Sequence, residues 1–363
     1  MLRIKQKVKN NIDVLVKLLP LFFIIAPILI LYFFESYTFP NYSRFPDYSQ
    51  SMNLSSFEMT WKGRTFYLFF LWLAFLEVIL SWEKLRPRIS RNPNRVRTGT
   101  LILALLLPTI YVVVANFYGL NAIILNWAWR NNIALSDWIP LSTEYLVLAA
   151  LFTLIIMLQY GISGLKNVLI SPLFLFIIGI IYTIDNVYPY GSFSPFQMFV
   201  PTTATLAANV LTLMGYRVLW LATTNGMPAF RIENSLGKYS SPFQIAWPCS
   251  GIESLIIYTV TILLFLKNMV IPLKHKIIYF TVGAIITFFI NVLRIATIFV
   301  ISVNTGGNSI DVQRFHDFYG QLYSITWIVS YPLIIVGSRA LWGKIRKPEK
   351  TPIDNLELPT ISY

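Results

Sequence analysis

Three residues far apart in this sequence have types that together could attack a carbonyl. The only cysteine, Cys249, lies in Trp247-Pro-Cys-Ser-Gly-Ile-Glu-Ser254. Arg294 lies in Asn291-Val-Leu-Arg-Ile295, and His316 in Arg314-Phe-His-Asp-Phe-Tyr-Gly320. A thiolate is the nucleophile such chemistry needs. An imidazole can move the protons, and a fixed cation can hold a thiolate or an oxyanion. Each residue also has a plainer reading: Cys249 as a small space-filling side chain, Arg294 as a snorkelling interfacial cation, and His316 as a surface histidine.

The local patterns sharpen the first set of readings. Ser250 followed three residues later by Glu253 is a capping-box pattern, which predicts Cys249 at the last position before a helix. Unpaired N–H groups there, and an arginine nearby, would stabilise the thiolate. A helix starting near Ile277 carries Arg294 roughly 25 Å along its axis, with Asn291 one turn earlier on the same face. Asp317 adjoins His316, with Asp311 close by, and a carboxylate there could orient the ring. Ser250, Glu253, Asn291, Asp317 and Arg314 are therefore the expected supporting residues. Asp185, Arg217, Arg231 and Glu233 are further polar candidates without an assigned role. Glu77, in an apolar run, is expected to face a helix bundle or snorkel and has no role either. The second histidine, His275, reads as a solvated basic flank. One cysteine and two separated histidines make no recognisable ligand set, so no cofactor or metal is implied.

The elements that must position these residues are membrane helices. The chain has 363 residues, 56% hydrophobic and only 12% charged, against about a quarter charged in soluble domains. A spanning helix needs about 20 mostly apolar residues. Stretches of that kind are 15–34, 65–82, 99–118, 144–161, 168–184, 252–269, 277–302 and 321–342. The first is basic at its start and has no small-residue cleavage site after it, so it reads as a retained helix. A ninth stretch, 197–215, is interrupted by Pro201, Thr202, Thr203, Thr205 and Asn209 and is the doubtful one.

Basic flanks stay cytoplasmic. With the N-terminus inside and 197–215 not crossing, the inner segments collect 20 of the 29 basic residues. Letting 197–215 cross would flip Lys267, Lys274, Lys276 and the basic C-terminal tail outward and abolish the bias. The expected fold is thus an all-α integral membrane protein with about eight transmembrane helices. It is a single polytopic domain over 1–363, with an outer insertion at 185–248 and a cytoplasmic tail at 343–363. The insertion is expected to hold a re-entrant or interfacial helix near 197–215. Strand-like runs Tyr216–Ala222 and Ala229–Glu233 follow it, turning at Asn225-Gly226. Cys249, Arg294 and His316 then fall at adjacent helix ends on the outer face. Two glycosylation-type sequons, at Asn41 and Asn53, fall in the first outer loop and agree weakly with this orientation. A net charge of +13 spread over inner loops serves insertion, and nothing points to nucleic acid.

Pro-Cys249-Ser-Gly-Ile, then Asn291-Val-Leu-Arg294-Ile, then His316 followed by Gly320, resembles the exosortase/archaeosortase family, most closely its archaeosortase branch. The resemblance is close over the last half of the chain. It implies a membrane-embedded, sortase-like cysteine transpeptidase with Cys249 as nucleophile, Arg294 as the essential arginine and His316 as the third catalytic residue. The partners it implies are surface proteins ending in a short motif, a transmembrane helix and a basic tail, with a membrane lipid as acceptor. Two other classes stay open. A polytopic glycan polymerase or ligase uses outer arginine and histidine but needs no cysteine. A transporter would show repeated halves around midplane polar sites, and no repeat is visible here.

Overall fold

The computed structural model describes residues 2–33, 64–87, 95–133, 139–188, 197–224, 226–307 and 309–346. Both sequons, Arg88, Arg91 and the tail beyond Arg346 lie outside the described residues.

All eight expected crossings coincide with helices. They are α1 (Leu2–Phe33), α2 (Thr65–Leu80), α3 (Arg95–Phe117), α5 (Ile139–Leu165), α6 (Ile170–Val187), α8 (Ile252–Asn268), α9 (Leu273–Thr305) and α11 (Gly320–Arg346). Among the described residues, six of these are long and apolar enough to cross a membrane. The other two, α2 and α8, are shorter, with 16 and 17 residues. Several helices are apolar outside as well as inside: Leu103, Ile285 and Leu333 are all exposed. That is what lipid-facing surfaces require. This is a multi-pass, all-α membrane protein.

Contacts at the helix ends set alternating directions. At one end the Tyr32 hydroxyl donates to the Arg64 carbonyl across 2.7 Å. At the other, Lys17 donates to the Trp82 carbonyl and Lys267 to the Lys166 carbonyl. Glu77 has a definite place there. Its buried carboxylate accepts from the Ile170 and Ser171 amides, each at 2.8 Å, and from the Ser171 hydroxyl at 2.7 Å. It thereby caps the N-terminus of α6, where unpaired N–H groups favour an anion.

Three features depart from, or add to, the sequence reading. A short helix α4 (Leu120–Arg130) follows α3, with Gly119 at φ 84° making the turn between them. The doubtful stretch forms α7 (Val200–Leu213), about 21 Å long at 1.5 Å per residue and so short of a bilayer's hydrocarbon core of about 30 Å. The expected hairpin is present as β1 (Arg217–Thr224) and β2 (Met227–Glu233), paired antiparallel with Trp220 opposite Phe230. Asn225 of its turn lies outside the described residues, and Gly226 has φ 72°. A short third strand, β3 (Phe243–Gln244), adds to β2, giving the order β1-β2-β3.

This sheet matters because it leads the chain into the cysteine. Phe230 stacks on Phe299 of α9 with ring centroids 4.2 Å apart, and Phe243 meets the same ring edge-on at 5.2 Å. The Ser241 amide donates to the Ser302 hydroxyl of α9 across 2.9 Å. The insertion is therefore fixed to α9 about one and a half to two turns beyond Arg294.

Candidate active site

The segment Trp247–Ser250 is a 3₁₀ turn, and Gly251 at φ 93° precedes α8. The capping box expected of Ser250 and Glu253 does not form. Gly251 occupies the N-cap with no side-chain cap bond, and the Ser250 hydroxyl donates back to the Trp247 carbonyl at 2.6 Å. Pro248 and Gly251 are the physical cause. Proline pre-sets the first turn without needing an N–H partner, and glycine adopts at no steric cost the left-handed conformation that redirects the chain. Cys249 consequently sits in the turn before the helix.

Two neighbours hold that turn by its main chain. Asn291 Nδ2 of α9 donates to the Cys249 carbonyl at 2.9 Å, and Thr203 Oγ1 of α7 donates to the buried Ser250 carbonyl at 3.1 Å. Gly251 permits the approach of Asn291, since a Cβ there would stand 3.0 Å from Nδ2 and 3.1 Å from Asn291 Cβ.

His316 arrives from the opposite side. The short helix α10 (Ile310–Arg314), capped by Ser309, runs into a π turn at Phe315–Tyr319, closed by the Gly320 amide donating to the Phe315 carbonyl. The extra residue in that turn, a feature frequent at functional sites, faces His316 Nε2 towards Cys249 Sγ at 3.8 Å. Arg294 Nη2 donates to the His316 carbonyl at 3.1 Å. The three residues singled out from sequence thus meet, with Asn291 supporting them. Arg314 lies two residues before His316 in the same connection, partly buried. The side chain of Asp317 lies outside the described residues. Glu253 is within electrostatic reach of Cys249, Arg294 and Asp185. Arg217 instead pairs with Glu233 at 3.6 Å on the sheet, and Arg231 lies over the Tyr239 ring at 4.6 Å.

The electrostatics favour a thiolate. Burial pushes the Cys249 thiol up, but the hydrogen bond to His316, the imidazolium charge and the Arg294 charge outweigh it, against an opposing contribution from Glu253. The net shift is downward. At neutral pH more of the thiol is therefore ionised than in a free cysteine. Because Cys249 is the only cysteine, its rate of carboxamidomethylation against pH reads this directly. The midpoint should fall below that of a simple thiol, and His316→Ala should move it upward; an unmoved midpoint would show that the imidazole does not act on the thiol.

Sequence reasoning gave Gly320 no role, although it stands in the motif. A Cβ at Gly320 would lie 2.8 Å from Arg294 Nε and 2.9 Å from the Phe315 carbonyl oxygen. Gly320→Ala must therefore displace the arginine or open the π turn. A displacement of about 1 Å at such a site costs about 10²-fold in rate. The variant is expected to lose about that much activity while remaining folded, with Cys249 still reactive to alkylation.

Among the described residues, no group of three His, Cys, Asp or Glu side chains is placed to hold a metal ion. Two apolar concavities lie nearby, of which the smaller touches the cysteine turn. One, of about 460 Å³, includes Ser250, Ile252 and Phe288, and the other, of about 810 Å³, lies between α9 and α11.

Fold and site together define a polytopic membrane protein carrying a cysteine–histidine–arginine cluster at one end of its helices. Residues 61–332 match the family described as transmembrane exosortase. The chain belongs to that family. Neither the curated proteins nor the solved structures gave a match.

Proposed function

We propose that the chain cleaves C-terminal sorting signals of surface proteins with Cys249 as nucleophile and transfers them to a lipid headgroup or another amine acceptor. Membership of the exosortase family supports a membrane transpeptidase for sorting signals. The observation that carries the residue assignment is the 3.8 Å approach of Cys249 Sγ to His316 Nε2, with Arg294 tied to the same histidine. The resemblance of the three motifs is the support for reading it, within this proposal, as nearest the archaeosortase branch. The bias of basic residues towards one set of loops supports a reading with both termini in the cytoplasm and the site on the outer face.

The mechanism follows from the roles these groups can take. The Cys249 thiolate adds to the scissile carbonyl carbon, and the oxygen becomes an oxyanion. The Arg294 guanidinium, held beside the thiol by its bond to the His316 carbonyl, supplies the positive charge that stabilises the oxyanion. Collapse breaks the C–N bond, and protonated His316 gives its proton to the leaving amine. A thioester on Cys249 remains. His316 then takes a proton from the acceptor amine as it attacks, the C–S bond breaks, and the thiolate returns.

The test uses membranes bearing the chain and a protein from the same genome that ends in a motif, a helix and a basic tail. A shortened product, and release of a hydroxamate when hydroxylamine is added, would support a thioester intermediate. Processing that survives alkylation of the only cysteine would overturn it.

A further inference from the structure

The groove between α9 and α11 is built from two faces that run side by side. Ile290, Leu293 and Thr297 supply one wall and Leu322, Thr326 and Ser330 the other. Each set recurs at three- or four-residue spacing, so each is one face of its helix. The α11 wall runs about 12 Å from Leu322 to Ser330 at 1.5 Å per residue, more than two turns of a guest helix. The lining is mostly apolar, with three small hydroxyl residues beside Tyr323 and Trp327, and the Thr297 hydroxyl is already bonded to the Leu293 carbonyl. Small residues of this kind let helix backbones approach closely in lipid.

The groove passes beside the catalytic cluster partway along its α9 wall, between Ile290 and Thr297. Arg294 lies on the same strip of α9 as Ile290 and Thr297, one turn from each. Leu322 stands two residues beyond Gly320, against which Arg294 packs. Phe315, at the start of the His316 turn, meets Tyr323 of the groove edge-on at 5.6 Å. A helix seated here with its N-terminus at the cluster would run parallel to α11. It would deliver the residues just before it to Cys249 and His316.

We infer that this groove seats the transmembrane helix of the substrate, with its scissile segment emerging at Cys249; this rests on the reading of the chain as a sorting-signal transpeptidase. A sorting signal has the polarity this requires, because its motif precedes its helix. Lipid is the competing occupant, and it has no reason to present a peptide bond at the thiol.

The test places a benzoylphenylalanine photo-crosslinker in the full chain at Thr326 or Ser330. Controls carry it at Ile285 or Leu333, exposed positions of the same two helices that do not line the groove. The probe is a reporter fused to the motif, helix and basic tail of a protein from the same genome. Adducts to the probe should form roughly tenfold more from the groove than from the controls, and Ser330→Trp should raise KM for the reporter roughly tenfold with Cys249 alkylation unchanged. Adducts to lipid alone, equal yields from the controls, or an unchanged KM would overturn the groove assignment. Absence of any Cys249-dependent product from the parent chain would instead overturn the functional reading, and the adduct yields would then decide the groove alone.

Discussion

Cys249→Ser is expected to slow processing by about 10³-fold or more, a loss of about 4 kcal/mol of transition-state stabilisation or greater. Serine keeps the size and much of the shape of cysteine, so the change isolates the chemistry. The turn is held through main-chain carbonyls by Asn291 and Thr203, and neither bond involves the thiol. What the variant loses is an anion that His316 and Arg294 can stabilise at neutral pH. A hydroxyl ionises far less readily than a thiol, and the same imidazole and guanidinium that hold a thiolate cannot hold an alkoxide at neutral pH. Cys249→Ala should remove product altogether. Thermal stability in detergent should stay close to that of the parent for both variants. Undiminished processing by Cys249→Ser would end the case for a thiol nucleophile while leaving the family and the fold intact.

The helices and the cluster were legible in sequence for one shared reason. A bilayer makes long apolar runs necessary and makes each polar residue within them costly, so Asn291 and Arg294 stand out against Val292, Leu293 and Ile295. What the pattern could not settle was backbone conformation at Cys249. Ser250 and Glu253 satisfy the spacing of a capping box. Only the conformation of Gly251, with φ 93°, shows that the helix starts one residue later and that the serine turns back to Trp247. Gly251 and Gly320 were visible as motif letters, but their reason is spatial: each leaves room for a side chain of α9. The hairpin was legible from its strand-like runs, whereas the two-residue β3 is too short to show a period. Glu144 was missed differently. It sits at the start of an apolar run, where a flanking charge is ordinary, and its partner Arg64 is 80 residues earlier.

That missed pair gives the largest expected effect on stability. Arg64 and Glu144 are 2% and 1% exposed, and the guanidinium engages both carboxylate oxygens, Nε to Oε1 and Nη2 to Oε2, each at 3.1 Å. The Tyr67 hydroxyl donates to Oε1 at 3.0 Å, and Tyr67 stacks on Tyr145, which stacks on Tyr182 of α6. One ion pair thus ties the start of α2 to the start of α5, alongside an aromatic stack that reaches α6. Glu144→Ala leaves the guanidinium buried without its counter-charge, which typically costs about 3–5 kcal/mol. The fall should appear as a lower unfolding temperature in detergent. At temperatures where the variant stays folded, the pH midpoint of Cys249 alkylation should not move, because the pair does not touch the catalytic cluster. Arg64→Met combined with Glu144→Met should recover much of the loss, since removing both charges removes the desolvation they each suffer. Equal unfolding temperatures for Glu144→Ala and the parent would mean that the pair contributes nothing and that the tyrosine stack alone holds this end together. A double variant as unstable as the single would shift the weight from charge to the shape of the two side chains.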